Sequence, residues 1–95
     1  NLSGATCDFN LGLAQLLNKD YSAAENTFKC VEPMDAETKY LLAITGARQD
    51  NKEMMLDYLG QAIKDNPEVI NAAKLDREFL KYYTDPAFQA LVNVQ

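Results

Sequence analysis

The sequence predicts an all-α domain of antiparallel helix hairpins packed one on the next. Three observations predict it. Apolar residues recur at spacings of three and four, as on one face of a helix, and no run keeps the two-residue alternation of a strand. The polar breaks between these stretches are short, about three to five residues, which folds consecutive helices back on each other. Hydrophobic residues are 47% of 95, enough for one small core.

The elements follow in order. A first helix is expected from about Gly4 to Leu17, closed by the polar turn Asn18, Lys19, Asp20. A second runs from Tyr21 to Val31 and is broken by Glu32 to Asp35, where Pro33 opposes helix continuation. A third covers Ala36 to Ala47. After the turn Arg48 to Asn51, Asp50 is placed to cap a fourth helix, with Glu53 three residues on as a capping box asks. That helix ends near Asp65. Asn66 then caps a fifth, with Pro67 at its first position, reaching to Tyr83. Thr84 to Pro86 repeats the device before a sixth helix, Ala87 to Val94. Val69, Ile70 and Val92 favour strands locally, but each sits inside a helical pattern.

Composition removes several functions. Net charge is −5, from 9 basic and 14 acidic residues with no basic cluster, so the positive footprint of a nucleic-acid binder is missing. No apolar run is long enough for direct membrane insertion, and no basic start precedes an apolar stretch as in a signal peptide. The chain starts at Asn1 and is expected to be a trimmed fragment, so missing targeting signals say little about compartment. There is no histidine, the commonest general base and metal ligand. Four scattered glycines form no phosphate loop, and no oxygen-rich stretch has calcium-loop spacing, so no cofactor or metal is expected and little points to a small molecule.

The chain also repeats itself. Gly12, Ala24 and Phe28 stand at offsets of 12 and 16, and 31 residues on Ala43, Met55 and Leu59 take the same places, with Leu42 for Leu11. The pattern resembles the tetratricopeptide repeat, a helix-turn-helix unit with a small residue after Leu in its first helix and Ala-x3-Phe in its second. The first unit, about 4–33, matches with Leu11-Gly12 and Ala24-x3-Phe28, and departs at Asp8 and Gln15, where large aromatics would fall. The second, about 36–66, matches with Leu42-Ala43, Gly46, Met55-x3-Leu59, Ala62 and the closing Pro67. The closing helices, about 67–94, resemble the end of such arrays in Asp76-x2-Phe79, Asp85-Pro86, Phe88 and Leu91.

The resemblance implies a short right-handed solenoid of about six helices, the C-terminal part of a longer array. Gly12 and Ala24 would let the two helices of a hairpin approach closely, which offsets the roughly 1 kcal/mol a helix-interior glycine costs. Ala43 against the larger Met55 would leave the second hairpin slightly wider or tilted. In the family register the concave face is lined by Thr6, Phe9, Leu13, Leu16 and Leu17, then Glu37, Tyr40, Ile44, Ala47 and Arg48, then Asn71, Lys74, Glu78, Lys81 and Tyr82. Two readings of its apolar start stay open: a ligand groove, or a face packed against a preceding repeat. Tyr40 and Tyr82 are candidate recognition aromatics, and Asn71, Lys74 and Lys81 candidate anchors for a peptide carboxylate or backbone; a solvated helix face is the alternative. Tyr83 should pack on the last helix.

In an antiparallel hairpin Cys7 and Cys30 fall at adjacent ends. A disulfide is then open to them, as is a pair of partly buried thiols; the disulfide would favour a periplasmic or extracellular setting. The carboxylates are spread over helix starts and outer faces, with Asp20, Asp35, Asp50 and Asp85 at capping positions, so no catalytic pair is expected. The sequence therefore predicts a noncatalytic scaffold for a protein or peptide. The other function it allows is a structural spacer of a larger, cell-envelope protein.

Overall fold

A computed structural model describes residues 7–32 and 34–93. Among these residues six α-helices and one 3₁₀ helix follow each other: α1 Phe9–Leu17, α2 Tyr21–Lys29, α3 Ala36–Arg48, α4 Lys52–Asp65, α5 Val69–Leu75, the 3₁₀ helix Arg77–Tyr82, and α6 Pro86–Val92. No strand occurs among the described residues. The molecule is elongated, 44 × 23 × 19 Å. Gly4, Thr6, Pro33 and Val94 lie outside the described residues, so their expected roles do too.

Each start and stop has a local cause. α1 begins at Phe9, because the Asp8 carboxylate accepts the Asn10 amide at 2.9 Å and Cys7 and Asp8 precede the helix. Asp35 caps α3 by accepting from the Thr38 amide at 2.9 Å and the Thr38 hydroxyl at 2.8 Å. Asp85 accepts from the Ala87 and Phe88 amides at 2.8 and 3.3 Å, and Pro86 opens α6 one residue earlier than expected. Asp20 stands at the start of α2 without a side-chain cap, and α2 ends at Lys29, short of Val31.

The expected cap of α4 is corrected. Asp50 has φ 60°, in the left-handed region, and the cap is Asn51, whose side chain accepts the Met54 amide at 3.2 Å. The reason lies in the turn. Lys19 and Asp50, 31 positions apart, both take left-handed backbone, with φ 66° and 60°. In the first turn the Lys19 amide bonds Leu16 O at 3.0 Å and the Asp20 amide bonds Gln15 O at 2.8 Å. In the second the Asp50 amide bonds Ala47 O at 3.1 Å and the Asn51 amide bonds Gly46 O at 2.8 Å. Both are Schellman closures, which satisfy the last free carbonyls of one helix and reverse the chain into the next.

The fifth helix is also corrected: it is two pieces. Pro67 lies in a turn ahead of α5, where the Asn66 side chain accepts the Glu68 amide at 3.1 Å. α5 stops at Leu75 because Asp76 turns extended, φ −81° and ψ 121°, and caps the 3₁₀ helix by accepting the Glu78 amide at 3.0 Å.

α1 and α2 form one hairpin and α3 and α4 a second, packed on it through α2 and α3. Both are antiparallel, since contacts join their open ends. The Cys7–Cys30 disulfide closes the first, with Cα atoms 5.2 Å apart, and a Lys39–Asp65 ion pair closes the second. α3 is central, with Thr38 and every residue from Leu42 to Ala47 buried. The core holds Ala24, Phe28, Leu42, Ala43, Met55, Leu59, Ala73, Phe79 and Phe88.

Two glycines mark close approaches, and at Gly12 the contact differs from the small-against-small one expected with Ala24. A methyl on Gly12 would first meet the Phe28 ring, at 2.6 Å from Cε1, and not Ala24. A methyl on Gly46 would lie 2.9 Å from the Met55 backbone nitrogen. The tight backbone contact of the second hairpin is therefore at Gly46.

Candidate functional site

Tyr40, Ile44 and Arg48 recur every four residues and so share one face of α3. In the expected groove this face would be open. The segment from Asp76 to Tyr82 lies along it instead. At one end, Asp76 Oδ2 accepts the Tyr40 hydroxyl at 2.5 Å, its Oδ1 holds the Glu78 amide, and its backbone carbonyl accepts the Tyr83 hydroxyl at 2.7 Å. Tyr40 sets its ring edge-on to Phe79 at 5.7 Å, Phe79 meets Phe88 at 5.6 Å, and Tyr83 meets Phe88 at 6.0 Å. Burial, and then the bond to Asp76, push the Tyr40 hydroxyl's ionisation well above the ordinary phenol range. It is a hydrogen-bond donor here.

At the other end Arg48 grips Glu78 with two bonds, Nε to Oε1 at 2.9 Å and Nη2 to Oε2 at 2.5 Å. The guanidinium is held protonated more firmly than usual, chiefly by Glu78, against its partial burial, with the Tyr21 hydroxyl adding to it. Lys81 pairs with Asp50 in the second Schellman turn and lies over the Tyr82 ring, 5.6 Å from its centroid. Lys52 pairs with Asp85 at 2.6 Å, which ties α4 to the cap of α6.

Several expected groove residues are thereby relocated. Leu16, Ile44 and Tyr82 are only 3%, 7% and 8% exposed and belong to the core. Ala47 is buried too. Tyr40, Arg48, Glu78 and Lys81 are bonded within the chain. What stays open is the outer side of α1, where Phe9 and Leu13 are half-buried and Leu17 is 69% exposed. Phe9 leans on Phe28 with ring centroids 5.8 Å apart. Asn71 and Lys74 stand exposed on α5, and among the described residues Lys74 makes no ion pair.

Sequence reasoning missed three features of this surface. Asp76 serves as a junction; its only signal was a place in the closing motif. Leu75 and Leu80 are 82% and 61% exposed, although a continuous helix would have been free to bury one of them. A shallow depression lined by Lys29, Val31, Glu32 and Met34 sits at the link from α2 to α3. Among the described residues no three His, Cys, Asp or Glu side chains converge as metal ligands, and no helix is long and apolar enough to cross a membrane.

The chain matches none of the protein-family models, curated proteins or solved structures with which it was compared. A reading of its function therefore rests on its own residues.

Proposed function

We propose that the chain is a noncatalytic scaffold for a protein or peptide, a segment of a right-handed tetratricopeptide-like solenoid. The observation that carries this reading is the pair of like-built hairpin turns, Lys19 and Asp50 both left-handed and 31 positions apart, with the same carbonyls closed in each. Hairpins built alike and stacked in a row make a preformed surface, which lowers the ordering cost of binding. On this reading Phe9, Leu13 and Leu17 offer the apolar contact, and Asn71 and Lys74 the polar anchor for a carboxylate or backbone. The disulfide favours a periplasmic or extracellular setting. Nucleic acid, a small molecule and a cofactor play no part in it.

A second reading has its own support. Tyr40, Arg48 and Lys81 spend their polar groups inside the chain, which suits a structural spacer near the end of a larger cell-envelope protein, with α1 covered by preceding repeats. Selection from a random peptide library separates the two. A scaffold yields peptides whose affinity falls at least about tenfold on Leu13→Glu or Lys74→Glu, each near 1.4 kcal/mol. No enrichment, or peptides indifferent to both substitutions, would favour the spacer.

A further inference from the structure

The polar contacts divide the molecule in two. Among the described residues, four of the five ion pairs join residues between Lys39 and Asp85, and the fifth, Lys29–Glu25, is internal to α2. The aromatic pairs split the same way: Phe9–Phe28 in the first hairpin, and Tyr40, Phe79, Tyr83 and Phe88 in the remainder. Thr27 donates to Gln15 at 2.6 Å within the first hairpin. Across the boundary, among the described residues, the Tyr21 hydroxyl meets Arg48, and Lys29 lies within electrostatic reach of Tyr58. Apolar side chains of both parts, among them Leu16, Ala24, Phe28, Leu42 and Ala43, share one core there.

The two bodies are closed differently. The α3–α4 hairpin has helices of 13 and 14 residues, a side-chain cap at each start, and an ion pair at its open end. The α1–α2 hairpin has two helices of 9 residues and no side-chain cap on α2. Helices this short are marginal without tertiary support. At the place where the second hairpin has an ion pair, the first has a disulfide, and Cys7 is exposed.

We propose that the Cys7–Cys30 disulfide is a redox-controlled fastener: reduction releases α1 and α2 from α3 as a unit, while α3 to α6 keep their fold. The reductant is a dithiol. One of its thiolates attacks the exposed Cys7 sulfur, forming a mixed disulfide and expelling the Cys30 thiolate. Its second thiolate attacks the mixed disulfide, expelling the Cys7 thiolate and leaving the reductant as a disulfide. Two electrons pass to the cystine, and the two cysteine thiolates take up two protons from water. The open form uncovers the face of α3 on which α2 rests.

The test uses the whole chain, oxidised and after dithiothreitol, with thiol labelling to count the cysteines released and hydrogen exchange read by element. Removing the loop constraint should raise opening of the first hairpin on the order of 100-fold. Exchange in residues 9–29 should then rise at least about tenfold, while residues 38–47, 55–62 and 86–92 change less than about threefold. The Cys7→Ser/Cys30→Ser double variant should give the same pattern without reductant, and reoxidation should reverse it in the wild type. Failure of the dithiol to release thiols from the folded protein would overturn the proposal. So would exchange that rises equally in every element, in either the reduced protein or the double variant, or that does not rise at all.

Discussion

Three glycines sit inside helices and are exposed to the same propensity argument, yet the structure separates them. Replacing a helix-interior glycine by alanine should stabilise by about 1 kcal/mol when the methyl finds room. At Gly60 in α4 it does: the added carbon would lie 3.5 Å from Leu91 Cδ2, an ordinary contact. Gly60→Ala should raise the stability by about 1 kcal/mol and the Tm by about 4–8 °C for a domain of this size. At Gly46 the same carbon would lie 2.9 Å from the Met55 backbone nitrogen and 3.1 Å from Met54 Cγ. Backbone cannot rotate aside, so α3 and α4 must separate. Overpacking costs about 1–3 kcal/mol, which cancels the propensity gain or exceeds it by up to about 2 kcal/mol. At Gly12 the methyl would strike the Phe28 ring at 2.6 and 2.8 Å, and that ring is fully buried. Gly12→Ala should therefore also fall below wild type. The measurement is urea and thermal unfolding of all three variants with the disulfide kept oxidised. If Gly46→Ala matches Gly60→Ala, the close approach of α3 and α4 does not constrain the fold, and the packing account of both hairpins fails.

Lys19 holds a left-handed backbone that glycine adopts without penalty, so Lys19→Gly should stabilise by about 0.5–1 kcal/mol in denaturant unfolding, after the entropy that glycine adds to the unfolded chain. Asp50→Gly should gain less, because it removes the partner of Lys81. Tyr40→Phe deletes a hydroxyl bonded to a carboxylate and leaves its ring on Phe79; a loss of about 1–2 kcal/mol in the same assay checks the junction at Asp76. Asp35 and Asp85 titrate below the ordinary value of 3.8, Asp35 chiefly through the Thr38 amide and Asp85 chiefly through Lys52. Their folded values are depressed, so the stability they give is present above pH 3.8 and is lost as the pH falls toward the folded values. Replacing both by Asn should keep the caps and flatten the decline of the urea midpoint in acid. An unchanged slope would count against these two groups as its source.

Much of the helical layout was legible because it is local. Apolar spacing, Asn18 to Asp20, Asp35, Asp65 and the Asp85-Pro86 pair mark ends through interactions reaching at most a few residues. The errors fell where a residue had two local options, and a competing bond, local at Asp50 and partly distant at Asp76, chose between them. Asp50 and Asn51 both have capping side chains. The Schellman closure puts Asp50 in the left-handed position, and only its neighbour remains free to cap. Asp76 lies in a stretch with helical periodicity. A tyrosine from α3 and another from seven residues on, together with its own bond to the Glu78 amide, hold it extended, and the helix breaks.

By itself the sequence determined that this chain is helical and roughly where most of its helices lie. Those properties come from short-range sterics and from the period of the apolar pattern. Tertiary structure decided that Cys7 and Cys30 meet, that Gly46 is the tight point of the second hairpin, and that Tyr40, Arg48 and Lys81 bond the closing segment, while Ile44 and Tyr82 are buried. A helix face chosen by register is open only if no other part of the chain covers it. Coverage depends on residues about thirty positions away, whose contacts no local pattern encodes.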